Sequence, residues 1–142
     1  MLMATLYLSL GTNLGDRPNN LKSALELIAL QVGTVKAKSD VIETDPWGFE
    51  SANRFLNMVV KVETNLQPLD ALHVTQDIER KLGRSQKSEN GQYHDRPIDI
   101  DLLIYDNITM STPELTLPHP RMYERDFVMK PLSQIAPELT RS

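Results

Sequence analysis

Two aspartates separated by one apolar residue, Asp99 and Asp101, lie in the apolar run that begins at Ile98. Alternate side chains of a β-strand leave the same face, so both carboxylates point one way, with Cα atoms roughly 7 Å apart. Two bare carboxylates at that separation repel by about 2 kcal/mol at an effective dielectric constant near 20. A hard cation would remove this repulsion, and Mg²⁺ is often held by one or two carboxylates plus substrate phosphates. The alternative is a solvated acidic face on a half-exposed strand, because so short a motif also occurs by chance.

A fixed positive charge precedes the acid pair. Arg96 lies three residues before Asp99, at the entrance to the predicted strand. Guanidinium groups bind phosphate through paired, charge-assisted hydrogen bonds. The segment from Arg96 to Asp101 therefore predicts a site for a metal ion and a phosphorylated ligand.

Composition limits the classes of protein to consider. A chain of 142 residues predicts one domain, residues 1–142. The net charge of −4 argues against bulk binding to nucleic acid, which requires a basic surface. The lack of cysteine excludes disulfides and thiolate chemistry. No apolar run reaches the length of a membrane span, and the first residues lack the basic start of a signal peptide, so we expect a cytoplasmic protein with no membrane partner.

Hydrophobic periodicity predicts the elements that position these residues. Alternating apolar residues predict strands near 4–10, 35–41, 55–64 and 98–105, with a short edge segment at 108–110. Helical spacing predicts helices from Pro18 to about Gly33 and from Pro68 to Gly83, and a short helix at 127–132. Residues 44–53 and 84–97 are predicted loops. The order βαββαβ indicates an α+β, ferredoxin-like fold, an antiparallel sheet with helices packed on it and a C-terminal loop and helix extension.

Four sequence blocks, in order and with near-matching gaps, resemble the 6-hydroxymethyl-7,8-dihydropterin pyrophosphokinase family over residues 7–139. The blocks are LGTNLGD at 10–16, ETDPWG at 43–48 with FLN at 55–57, RPIDIDLL at 96–103, and LPHPRM at 117–122 with Arg125 and Phe127. The resemblance implies transfer of pyrophosphate from ATP to the hydroxymethyl group of a reduced pterin, with release of AMP. It also implies two Mg²⁺ ions held by Asp99 and Asp101.

The resemblance further implies a set of ATP-binding and catalytic residues. Phosphoryl-type transfer depends mainly on positioning and on charge neutralisation. The implied catalytic residues are Asp99, Asp101, Arg84, Arg96 and Arg125. The implied ATP contacts are Gln76, Lys87, Arg96, Leu102, Thr116, His119 and Arg125.

A flat pterin requires aromatic faces and a few polar groups that bind its aminopyrimidinone edge. The resemblance implies pterin contacts from Thr44, Asp45, Trp47, Phe55, Asn57 and Phe127. Phe55 and Phe127 match the stacking aromatics of the family, and the Asn57 amide both donates and accepts hydrogen bonds. Phe55 and Asn57 alternate along one strand, so both reach the same ligand.

Other hypotheses remain open at this point. A ferredoxin-like nucleic-acid-binding module would present sheet aromatics to bases, although this sheet face would carry acids. A catalytically inactive relative, kept as a partner for another protein, is a third possibility. Its support is the segment Tyr93-His94-Asp95, where the family often has an aromatic residue followed by Gly-Pro. The sequence leaves the oligomeric state open, and a monomer is favoured.

Overall fold

The computed structural model describes residues 3–45, 54–83 and 97–140. The strands are β1 (Ala4–Thr12), β2 (Gly33–Lys38), β3 (Ile42–Thr44), β4 (Phe55–Thr64), β5 (Asp99–Tyr105), β6 (Met110–Ser111) and β7 (Thr116–Leu117). The helices are α1 (Arg17–Gln31), α2 (Pro68–Lys81) and α3 (Asp126–Ile135), with 3-10 turns at Met122–Glu124 and Pro137–Leu139. Within the described ranges, no helix is both long and apolar enough to cross a bilayer.

The main sheet is antiparallel and has the strand order β2-β4-β1-β5, with β3 also paired to β4. The central strand β1 therefore lies between the strand that carries Asn57 and the strand that carries the two aspartates. Strands β6 and β7 form a separate hairpin. This arrangement confirms the predicted ferredoxin-like α+β fold.

One face of the sheet packs against α1 and α2. The alternating residues Leu6, Leu8 and Leu10 are completely buried there, beside residues that recur at helical spacing, such as Leu21, Ala24 and Ile28 of α1 and Ala71 and Ile78 of α2. Helix α1 begins where predicted, because the Asp16 carboxylate accepts a hydrogen bond of 3.2 Å from the Asn19 backbone N–H. The period-2 and period-3.6 patterns thus identified this core correctly.

The opposite face packs against the C-terminal helix α3. Val128 and Leu132 of α3 are buried against Tyr7 of β1 and Val59 of β4. This helix is longer than the predicted 127–132. Its packing makes a second core, so helices cover both faces of the sheet rather than the single face expected from the βαββαβ order alone.

A β-bulge in β5 places Ile104 in the second core. The register of β5 against β1 shifts between the pairs Leu8–Leu102 and Tyr7–Ile104, so Leu103 is the extra residue. Leu103 and Ile104 both pack in the second core, and Tyr105 returns to the first. Simple alternation places Leu103 correctly but would put Ile104 in the first core with Leu102, because the register shift depends on the partner strand.

The prediction of one strand over 35–41, followed by a loop over 44–53, was wrong in detail. The chain forms β2 up to Lys38 and then a separate β3 that includes Thr44. At the break, the Ser39 side-chain hydroxyl accepts a 2.9 Å hydrogen bond from the Val59 N–H. A side chain therefore takes the place of a backbone acceptor, which interrupts the regular ladder.

Candidate active site

The acid pair lies on the second face of the sheet, as strand alternation predicts. Asp99 and Asp101 are half-buried, whereas Ile100 between them is buried in the first core. Across the ladder, Asp99 pairs with Gly11 and Asp101 pairs with Ser9 of β1. The two carboxylates therefore lie on the second face, whereas α1 and α2 cover the first.

A row of three residues crosses the sheet at this position. Gly11 pairs with Asp99 on one side and with Asn57 of β4 on the other. Directly opposed residues of antiparallel strands present their side chains on the same face, and neighbouring strands are spaced at about 4.8 Å. Asn57 and Asp99 are consequently about 10 Å apart across the row, the span of a small ligand.

Arg125 joins the start of α3 to the acid pair. It is the residue just before α3, only 4% exposed, and its Nη1 lies 3.9 Å from Oδ2 of Asp101. Its guanidinium carbon also lies 5.6 Å from the centre of the Phe127 ring, within range of a cation–π contact. The fold thus brings Arg125 and Phe127 to the acid pair, from which they are distant in sequence.

His119 lies in the connection between β7 and the following 3-10 turn. Its backbone N–H donates to the Leu103 carbonyl at 2.8 Å, and its Nδ1 accepts a 3.2 Å hydrogen bond from the Arg121 N–H. The pKa of His119 is lowered from 6.5 to about 4, first by burial and next by the charge of Arg125, while Asp99 acts in the opposite direction. The ring is therefore neutral at pH 7. Because Nδ1 is an acceptor, the proton is assigned to Nε2.

Three predicted pterin residues, Thr44, Phe55 and Asn57, lie together at the other end of the row, whereas Phe127 lies beside Arg125. Asn57 is 3% exposed, and its amide Nδ2 donates a 2.7 Å hydrogen bond to the Thr44 hydroxyl. Thr44 pairs with Phe55 across β3 and β4, so both residues lie beside Asn57. Asp45 is exposed, and its carboxylate lies 3.3 Å from Nε of Arg54.

The predicted nucleotide contacts in the described chain are more dispersed. Gln76 on α2 and Thr116 on β7 are half-buried. The Leu102 side chain is 3% exposed in the first core, on the opposite face from Asp101. Side-chain contact between Leu102 and a ligand on the second face is therefore not possible without rearrangement. The remaining predictions, Trp47, Arg84, Lys87 and Arg96, lie outside the described residues.

Sequence reasoning missed Glu79, a buried carboxylate on α2. Its Oε2 accepts a 2.8 Å hydrogen bond from the backbone N–H of Ile100. A signal existed, because Glu79 follows Ile78 of the buried stripe and acidic residues are seldom buried without a partner. The partner itself was not predictable, since it lies 21 residues away in another element.

A second missed feature is a charge cluster beside Thr44. Arg17 at the start of α1 lies 2.7 Å from one Glu43 oxygen, and Arg54 lies 3.0 Å from the other. The hydrogen bond from Arg17 is the largest cause of a lowered Glu43 pKa. Because Glu43 precedes Thr44 and Arg54 precedes Phe55, the cluster ties together the two strands that carry the pterin candidates.

The carboxylate oxygens of the acid pair are suitable ligands for magnesium. Hard cations prefer carboxylate oxygens, and Mg²⁺ keeps an octahedral shell in which protein ligands are often a minority. In the described ranges, no group of three or more His, Cys, Asp or Glu side chains is arranged as a metal site. Asp99 and Asp101 fit a metal ion that obtains its other ligands from a phosphorylated substrate and water.

Comparison with known proteins gives a consistent result. The family model of 7,8-dihydro-6-hydroxymethylpterin-pyrophosphokinase (HPPK) matches residues 7–137. A protein of Porphyromonas gingivalis named 2-amino-4-hydroxy-6-hydroxymethyldihydropteridine pyrophosphokinase is 56% identical over 138 residues, which cover 96% of this chain and 94% of that protein. The Bacillus subtilis protein of the same name is 40% identical over 136 residues, covering 95% of this chain and 80% of that one.

Solved structures agree at the level of the fold. A crystal structure of an HPPK-DHPS protein in complex with substrates superposes with a TM-score of 0.77 at 17% identity over 99% of this chain. A Plasmodium falciparum HPPK-DHPS triple mutant has a TM-score of 0.77 at 18% identity over 96% of this chain. The chain spans 42% and 40% of the lengths of those two proteins. From the family match and its two close relatives, this chain belongs to the 7,8-dihydro-6-hydroxymethylpterin-pyrophosphokinase family.

Proposed function

We propose that this protein transfers the terminal pyrophosphoryl group of ATP to the hydroxymethyl group of 6-hydroxymethyl-7,8-dihydropterin and releases AMP, a step of folate biosynthesis. Family membership supports the reaction class. The observation that carries the proposal is the row of Asn57, Gly11 and Asp99, with Arg125 beside Asp101. The row therefore has a polar end at Asn57 and an acidic end at Asp99, both on the same face of the sheet.

The acid pair would hold magnesium against the triphosphate. When bound, Mg²⁺ would neutralise charge on the phosphate oxygens, and we propose two such ions. Asp99 and Asp101 are rigidly oriented because both lie within the ladder to β1 rather than on a loop. This rigidity suits them to orient a charged group with little reorganisation.

Arg125 and His119 would bind the phosphates beside the acids. Arg125 is buried, so its charge acts in a region of low dielectric constant and is weakly screened. Neutral His119 offers an Nε2–H donor at pH 7, which binds a phosphate oxygen without adding a full positive charge. Arg84, Arg96 and Lys87 are proposed as further phosphate contacts on the strength of the family resemblance. Gln76 and Thr116 are proposed as nucleotide contacts on the same ground, and Leu102 as one through its backbone, because its side chain is buried in the first core.

The pterin would bind at the Asn57 end. We assign its polar edge to Asn57, Thr44 and the neighbouring residues Asp45 and Trp47, and its faces to Phe55 and Phe127. The hydrogen bond from Asn57 to Thr44 holds the amide in one orientation, which reduces the entropy lost on binding. The reacting hydroxymethyl group would then point along the row toward Asp99.

The cellular setting is also a proposal. We infer that residues 1–142 form one domain that acts in the cytoplasm as a monomer, with ATP and the pterin as its ligands and no nucleic acid or membrane partner. The negative net charge is consistent with the lack of a nucleic-acid partner.

The nucleotide product tests the proposed reaction. Purified protein supplied with ATP, Mg²⁺ and the dihydropterin should form AMP and the pterin pyrophosphate in equal amounts. Formation of ADP, or AMP formation that does not require the pterin, would contradict the proposal. An inactive wild-type protein that still binds both ligands would favour the catalytically inactive relative instead.

A further inference from the structure

Gly11 lies in the middle of the row that links the two ends of the site. It is buried in β1, with Asn57 opposite on β4 and Asp99 opposite on β5. Any ligand that reaches from Asn57 to Asp99 on the second face must pass over this residue. The space above Gly11 is therefore part of the proposed site, although the residue carries no side chain.

The described atoms nearest to a Cβ atom built at Gly11 belong to side chains of Asn57 and Phe55. A Cβ atom built there lies 3.1 Å from Oδ1 of Asn57 and 3.6 Å from Cδ1 of Phe55. The first distance is tighter than ordinary carbon–oxygen contact, so Asn57 would shift by a few tenths of an ångström. That shift would strain the 2.7 Å hydrogen bond from Asn57 to Thr44.

The requirement for glycine here differs from that at the other described glycines. At Gly33 a Cβ atom would lie 2.2 Å from the Glu63 carbonyl oxygen, which is backbone of the paired strand. Gly15 and Gly83 have φ angles of +77° and +102°, where other residues are strained. Neither backbone contact nor positive φ applies at Gly11, so folding alone does not explain glycine at this position.

We propose that Gly11 is a specificity-determining position for the pterin, because the absence of a side chain there leaves room for the ring beside Asn57 and Phe55. A methyl group would occupy this space and displace the Asn57 amide, to which the proposed function assigns the polar edge of the ring. The inference rests on the proposed function and adds to it a residue of β1 that acts by lacking a side chain.

The test is the Gly11→Ala variant, measured by calorimetry with 6-hydroxymethylpterin in the presence of Mg²⁺ and a non-hydrolysable ATP analogue. We expect pterin affinity to fall at least tenfold, while affinity for the ATP analogue stays within twofold of wild type. The melting temperature should stay within a few degrees, because the described atoms nearest to the new methyl group are side-chain atoms of Asn57 and Phe55, which can shift.

Gly33→Ala is the matched control, since the same methyl group there strikes backbone. It should lower the melting temperature, and its folded fraction should bind both ligands as wild type does. If Gly11→Ala binds pterin within twofold of wild type, or loses pterin and the ATP analogue equally, the inference is wrong. A wild-type protein that binds no pterin would instead refute the proposed function, and with it the basis of this inference.

Discussion

Glu79 on α2 accepts a 2.8 Å hydrogen bond from the backbone N–H of Ile100, the residue between Asp99 and Asp101. Strand β5 is at the end of the main sheet, with β1 as its neighbour. A helix side chain thus satisfies a backbone donor on the side of β5 where the described residues contribute no neighbouring strand. The contact ties α2, on the first face, to the segment that presents the acid pair on the second.

Removing this acceptor should destabilise the fold. In Glu79→Leu, the buried N–H of Ile100 loses the carboxylate, and we expect the free energy of unfolding to fall by about 1–3 kcal/mol. Urea denaturation measures the change. Glu79→Gln is the control, because its amide oxygen still accepts a hydrogen bond and should recover a large part of the loss. Equal stability of the Leu variant and wild type would show that the contact contributes nothing.

Asp101→Asn should reduce turnover much more than pterin binding. Loss of one preorganised group that stabilises charge in a transition state typically costs about 10²–10³ in rate, and the proposed pterin contacts lie outside β5. Steady-state kinetics and calorimetry measure the two effects separately. Asp106→Asn is the control, since it removes one charge in the turn after β5 while Asn tolerates its positive φ of 48°. Parallel loss of turnover and pterin affinity would contradict the assigned division of roles.

Phe127→Ala should weaken pterin binding by about tenfold, in line with a stacking contact of about 1.4 kcal/mol. Affinity for the ATP analogue should change less, by about threefold at most, through the lost cation–π contact with Arg125. Tyr123→Ala is the control, because Tyr123 is an aromatic residue of the neighbouring turn that is 59% exposed. Unchanged pterin affinity in Phe127→Ala would remove its stacking role.

His119 should make the protein less stable in mild acid. Its pKa of about 4 in the folded state lies below 6.5, so the unfolded chain binds more protons between these values. The contribution of neutral His119 to stability is complete above about pH 6.5 and is lost as the pH falls toward 4. His119→Gln should therefore lose less stability than wild type between pH 7 and pH 5, as measured by urea midpoints. An equal loss in the two proteins would contradict the lowered pKa.

The sequence predicted those parts of the site that depend on local periodicity. Alternation alone places Asp99 and Asp101 on one face of β5 with Ile100 buried between them. The same rule puts Phe55 and Asn57 on one face of β4. These relations hold within one strand, because the strand's own geometry determines where each side chain points.

Contacts between residues of different strands and helices could not be predicted in this way. That Gly11 separates Asn57 from Asp99, and that Arg125 reaches Asp101, depends on register and on the side of the sheet that α3 covers. No periodicity within a segment contains this information, since a one-residue shift in register would move each strand's whole set of side chains to the other face.

The sequence by itself thus determined the order of elements, the first core and the direction of the acid pair, because each follows from spacing along a single element. The tertiary structure alone decided the bulge at Leu103, the hydrogen bond from Ile100 to Glu79 and the lowered pKa of His119. Those features arise from desolvation and contact between segments distant in the chain, and such effects exist only once the segments have packed together.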